Sequence, residues 1–191
     1  MKSLFSLFTD SAKELKTVRC LATTGILIAL FIILDTFSIK IGSFAKINFA
    51  FSALAVVGML FGPVPAVLAA VAGDVIGCVL SGSAPLPLLT CTAALEGLVF
   101  GIFLYKKEGK MLAGMAVASR LIDSFIINLL LNTAILMNAG FMSQTAEQFK
   151  LRVVKISVEA LFYCPFLAIF LPAILVIYKK VRGSMGRKTA G

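Results

Sequence analysis

Apolar side chains run almost unbroken along this chain, and the charged ones gather either at the ends of the runs or, less often, inside them. With 60% hydrophobic and only 14% charged residues in a total of 191, and a mean hydropathy of +1.02, there is too little polar side chain to clothe a domain in water. A bilayer accepts such a surface, and a helix needs roughly 20 mainly apolar residues to cross one. Glycines, prolines and charge clusters cut the chain into six stretches, about Val18 to Phe37, Ile47 to Phe61, Pro63 to Leu80, Leu86 to Tyr105, Met111 to Asn138 and Phe149 to Tyr178. The second is short and only Gly62 separates it from the third, so it is expected to be tilted, broken or partly outside the hydrocarbon.

The expected fold is an all-α membrane protein, a compact bundle of six transmembrane helices. Residues 1–17 read as an N-terminal interfacial segment, 18–180 as the transmembrane domain and 181–191 as a basic tail. Leu4, Phe5, Phe8, Ala12 and Leu15 recur at helical spacing with Asp10, Lys13, Glu14 and Lys16 between them, the pattern of a helix lying in the membrane surface rather than of a cleaved signal. Pro63, Pro65, Pro85 and Pro87 suit first turns of helices, where a missing N–H is no loss, whereas Pro165 and Pro172 predict a kink within the last span.

Basic residues precede the first span (Lys2, Lys13, Lys16, Arg19), separate the fourth from the fifth (Lys106, Lys107, Lys110) and follow the sixth (Lys179, Lys180, Arg182, Arg187, Lys188). Six crossings bring the three clusters to one face, so both termini are expected in the cytoplasm. Topology thereby accounts for the net charge of +9 without a nucleic-acid partner. Cys20, Cys78, Cys91 and Cys164 fall in four different spans and there is no histidine, so neither a metal site, nor a disulfide, nor a bound cofactor is expected.

The residues inside the runs carry the functional information. A charged side chain at a helix centre costs roughly 2.5–3.5 kcal/mol against lipid, so Asp74, Glu96, Arg120, Asp123, Arg152, Lys155 and Glu159 should face protein or a water-filled cavity. At 3.6 residues per turn Arg152, Lys155, Glu159 and Tyr163 share a narrow arc, and Arg120, Ser124, Asn128 and Asn132 form a slowly rotating stripe. Two such stripes can line one outward-open pocket. Two readings stay open for each: Arg120 with Asp123 and Lys155 with Glu159 either neutralise each other or meet a ligand, and Asn128 and Asn132 either bind one or join helices. Asp74 and Glu96 have no basic neighbour in sequence, which favours ligand contact, although Arg152 can bridge to either. Small residues at Ala22, Gly25 and Ala29, and again at Ala66, Ala70, Gly73 and Gly77, admit closely packed helices.

Lys46-Ile47-Asn48-Phe49, Gly58 through Pro63, Gly73-Asp74-Val75-Ile76-Gly77, Ser119 to Thr133 and Arg152-Val153-Val154-Lys155 together resemble the S components of energy-coupling factor (ECF) transporters, specifically the folate-binding subfamily. The resemblance implies a six-helix vitamin-binding subunit of a multi-pass importer in a bacterial cell membrane. Its partners would be the transmembrane coupling protein EcfT and two EcfA-type ATPases, consistent with a chain that carries no nucleotide-binding glycine loop. It further implies folate as substrate, loops 38–45 and 81–87 as a gate, with Lys40, Phe44, Lys46 and Pro85 as gating residues, and the face of Ala22, Gly25 and Ala29 as the docking surface. Asp74 or Glu96 would accept the pterin donors with Asn128 and Asn132, Arg152 and Lys155 would meet the glutamate tail, and Phe44, Phe49 and Tyr163 are stacking candidates. The alternatives are an S component for pantothenate or riboflavin, a small membrane-embedded enzyme, and a passive assembly subunit.

Overall fold

The computed structural model describes residues 4–41, 45–138 and 146–188. An amphipathic helix α1 (Leu4–Glu14) precedes α2 (Val18–Thr36), whose start is fixed by the Thr17 hydroxyl accepting the Cys20 N–H at 3.2 Å. A short antiparallel hairpin, β1 (Ile39–Ile41) and β2 (Ala45–Ile47), pairs Ile39 with Ile47 and leads into α3 (Ala50–Phe61). Then follow α4 (Pro63–Leu80), α5 (Pro87–Leu104), α6 (Gly109–Ile122), a π-helical segment π1 (Asp123–Asn132), α7 (Thr133–Asn138) and α8 (Ala146–Lys188). Because α6, π1 and α7 are continuous, five elements among the described residues are long and apolar enough to cross a membrane, and α3 is a shorter apolar helix beside them.

These six elements follow the six apolar stretches of the sequence closely. Pro63 opens α4 as expected, but α5 starts at Pro87, leaving Pro85 in the exposed loop before it rather than in a first turn. Helix α8 continues through Pro165 and Pro172 and on to Lys188.

The short span is the centre of the bundle. Every residue of α3 except Leu60 is buried, and its 12 residues rise only about 18 Å, against a hydrocarbon thickness of about 30 Å. It escapes the length requirement because its neighbours, not lipid, surround it. Glycine makes that packing close: a Cβ on Gly58 would lie 2.9 Å from the Gly101 nitrogen, one on Gly97 2.5 Å from the Ala66 oxygen, and one on Gly101 2.2 Å from Pro63 Cα. Helices α3, α4 and α5 therefore meet backbone to backbone.

Between α3 and α4 the chain turns at Gly62, where φ is +88°. The turn frees two backbone groups, and Ser11 of α1 serves both: its buried hydroxyl donates to the Phe61 oxygen at 2.8 Å and accepts the Val64 N–H at 3.0 Å. At this end of the bundle Lys106 donates to Asp10 at 2.7 Å and Lys179 lies 2.6 Å from Glu108, so the three basic clusters share one face. The Asp10 carboxylate holds the Lys106 ammonium above lysine's ordinary pKa.

Candidate functional site

Arg120, in the last turn of α6, is buried and hydrogen-bonded to Asp123, the first residue of π1, whose side chain is wholly buried. Its guanidinium lies 4.1 Å from the ring centroid of Phe51 on α3 and 4.9 Å from that of Tyr163 on α8, an aromatic setting that attracts a cation. On a third side Glu96 of α5 approaches to 4.0 Å. Two carboxylates thus share one guanidinium. Of the two readings open for Arg120 and Asp123, the structure pairs them with each other, which leaves Glu96 as the additional acid.

Asp123 is held from a second direction by a chain of hydrogen bonds. Thr92 of α5 donates to Asn132 at 2.6 Å, Asn132 to Asn128 at 3.1 Å, and Asn128 to the Asp123 carboxylate at 3.2 Å. A carboxylate can only accept, so the amides must all point the same way. Asn128 and Asn132 accordingly act as glue between α5 and π1 and set the position of Asp123. The π register makes this chain: five residues of α-helix would place Asp123 and Asn128 about 140° apart, whereas a π turn bonds i+5 back to i. Thr133 repeats the step, its hydroxyl donating to the Asn128 oxygen at 3.3 Å. The stripe drawn at α spacing missed Asp123 for this reason.

Glu96 differs from its neighbours. Its side chain is 22% exposed, and among the described residues its carboxylate has the 4.0 Å approach to Arg120 and no hydrogen bond. Asp74 on α4, by contrast, accepts from Thr90 of α5 at 2.7 Å. The adjacent glycines serve the bundle itself: Gly73 faces the Phe31 ring, where a Cβ would come within 2.9 Å, and Gly97 backs onto α4.

On α8, which packs against both α6 and π1, Arg152 is partly buried and Lys155 stands 3.8 Å from Glu159. Tyr163 is only 3% exposed, and its hydroxyl accepts the backbone N–H of Asn48 at 2.9 Å. Asn48 also donates from its side chain to Asp35 at 2.6 Å and accepts the Ala50 N–H at 2.7 Å. Asp35 and Asn48 had no role assigned from sequence, because a polar residue at a helix end or in a loop raises no hydropathy alarm. Phe49 is partly exposed and packs on Phe166 with centroids 4.9 Å apart. Lys40 and Lys46 are paired across the hairpin, Pro85 is exposed in its loop, and Phe44 lies outside the described residues.

Ala22, Gly25 and Ala29 all lie exposed on α2, and nothing stands within 4 Å of where a Gly25 Cβ would be. Of the corresponding residues of α4, Ala66, Ala70 and Gly73 are buried inside the bundle, whereas Gly77 is partly exposed and has nothing within 4 Å of where its Cβ would be. A shallow crevice between α2, α3 and α4 measures about 160 Å³ including the open space at its mouth. Its lining of Leu27, Ile28, Phe31, Leu54, Val57 and Ala69 offers no polar side chain to a vitamin. Among the described residues no three or more His, Cys, Asp or Glu side chains gather as a metal site would require.

No curated protein matches the chain. Among solved structures it is similar to the crystal structure of FolT bound with folic acid, at 25% identity over 81% of this chain and 90% of that one, with a TM-score of 0.67. The model of the family described as ECF-type riboflavin transporter, S component, matches residues 15–178. The apolar crossings, the charged groups enclosed among them and this match over most of the length agree: the chain belongs to the ECF-type riboflavin transporter S-component family, and is a multi-pass, vitamin-binding membrane subunit of an ECF transporter rather than an enzyme.

Proposed function

We propose that this S component binds folate from outside the bacterial cell and delivers it by docking, through the α2 face of Ala22, Gly25 and Ala29, on EcfT and its two EcfA-type ATPases. The observation that carries the folate reading is Glu96: a partly exposed carboxylate without a hydrogen bond among the described residues, set beside an arginine already engaged by Asp123. The pterin edge of folate offers adjacent N–H donors that one carboxylate accepts in parallel. Asp74, already bonded to Thr90, is the secondary acceptor, and Asn128 and Asn132 contribute through the amide hydrogens that their chain leaves over. Phe49 offers a ring face, and Arg152 and Lys155 suit the carboxylates of the glutamate tail. The likeness to FolT supports the same reading. Both termini lie in the cytoplasm, in keeping with the basic clusters gathered on one face. The hairpin region and the loop around Pro85, at the ends of α2 and α4, form the gate.

Riboflavin is the second reading, favoured by the description of the matching family. It is neutral and brings no anion to Arg152 and Lys155. Pantothenate brings one carboxylate but no flat donor edge for Glu96. The test is to purify the protein, identify the vitamin it carries and titrate it calorimetrically with all three; the chain has no tryptophan to report by fluorescence. Folate should bind stoichiometrically, and retention of riboflavin or pantothenate with no heat from folate would reject the assignment.

A further inference from the structure

We propose that Tyr163 is a positioning residue that ties the charged site to the β1–β2 hairpin. Its ring and its hydroxyl face different structures. The ring lies 4.9 Å from the Arg120 guanidinium and 4.7 Å from the Phe51 ring, and so forms part of the wall that keeps the cation beside Glu96. The hydroxyl accepts the N–H of Asn48, 115 residues away in sequence and the first residue after β2.

Asn48 is where the hairpin is secured to the bundle. Its N–H goes to α8 through Tyr163, its side-chain amide to Asp35 on α2, and its side-chain oxygen to the Ala50 N–H at the start of α3. Each strand has three residues, and a two-stranded hairpin of that size does not hold its shape alone in water. The anchors at Asn48 therefore help to fix where it sits. One of them is the hydroxyl of a residue whose ring touches the site. At 3% exposure Tyr163 has no room to move independently of its neighbours. A ligand that engages Glu96 bears on the guanidinium against which Tyr163 packs, and the hydroxyl carries that displacement to Asn48. This coupling rests on the reading of Glu96 as a ligand acceptor.

The experiment compares the full chain with its Tyr163→Phe variant in lipid nanodiscs by hydrogen–deuterium exchange of a peptide covering Ala45 to Asn48. Each protein is measured without ligand and at a folate concentration that calorimetry shows to saturate it. Phenylalanine keeps the ring and removes only the hydroxyl. Without ligand, exchange should be about tenfold faster in the variant, equivalent to about 1.4 kcal/mol for one lost hydrogen bond. Folate should slow exchange of this segment in the wild type and have no such effect in the variant. A hydroxyl with a merely structural role would speed exchange in both states and leave the folate-dependent difference intact. Equal ligand-free exchange in the two proteins overturns the tether. Folate slowing that persists in the saturated variant, or is missing from the saturated wild type, overturns the coupling. If the wild type binds no folate, the folate reading falls, and the ligand-free comparison still decides the tether.

Discussion

Glu96→Gln should leave the fold as stable as before while removing tight folate binding. At 4.0 Å and an effective dielectric constant of about 20, attraction between Glu96 and Arg120 is about 4 kcal/mol. Arg120 is already hydrogen-bonded to Asp123, however, and the negative charge of Asp123, held on the same guanidinium, repels Glu96 and opposes that attraction. The two effects oppose each other, and no hydrogen bond among the described residues is lost, so the stability change should stay within about 0.5 kcal/mol. Binding is different. A charge-assisted hydrogen bond contributes about 1.5–3 kcal/mol, and a glutamine can accept from only one of two adjacent pterin donors while presenting its own NH₂ to the other. A loss of about 3 kcal/mol, roughly 100-fold in Kd, is expected. Calorimetry with folate measures the second quantity and a reversible unfolding titration in mixed micelles the first. Destabilisation beyond about 2 kcal/mol would show that Glu96 is the structural counter-ion of Arg120, and an affinity within about threefold of wild type would show that folate is recognised elsewhere. Asp123→Asn provides the opposite signature: it weakens the bond to Arg120 and the acceptor for Asn128, and should cost about 2–3 kcal/mol of stability.

Three further outcomes follow from the packing. Ser11→Ala leaves the Phe61 oxygen and the Val64 N–H without their partner and should destabilise by about 1–3 kcal/mol, measured in the same titration. Gly101→Ala puts a methyl group 2.2 Å from Pro63 Cα, so it should separate α4 from α5 and prevent accumulation of folded protein in a detergent-solubilised chromatographic profile. Gly25→Leu or Ala29→Leu adds bulk where α2 is exposed, so folate binding should persist within about twofold while uptake by cells carrying the energising module falls to background; equal loss of both would refute the docking assignment.

The membrane spans were legible because they obey a length rule that the solvent imposes: 20 or so apolar residues, punctuated by Gly62, the prolines and lysine clusters. That polar residues inside the spans would turn to protein partners was legible too, since hydropathy alone makes Asp74, Glu96 and Arg120 expensive against lipid. Their partners were not. Pairing of Asp123 with Asn128 depends on a π register that α-helical projection cannot reveal, and Thr92, an ordinary helical threonine in sequence, becomes the origin of a hydrogen-bond chain only because α5 faces π1. Asn48 and Asp35 lie beside a loop, where polarity is unremarkable, and the bonds of Asn48 to Asp35 and to Tyr163 join three distant segments. The small-residue patterns of α2 and α4 look alike in sequence, yet the first faces outward, while Ala66, Ala70 and Gly73 of the second are filled by α5 and Phe31 and only Gly77 stays open. Which of two similar stripes is covered is a property of the assembled bundle.

The bare backbone at Gly25 has a consequence for the lipids around the isolated subunit. Hydrocarbon leaves no vacuum, so acyl tails must bend into the notch on α2, giving up some of their conformational freedom to do so. A protein surface seated there would return those tails to the bulk bilayer, and part of the drive to associate would then come from the membrane. Assembly strength should therefore vary with tail length and unsaturation even where the protein contacts are identical.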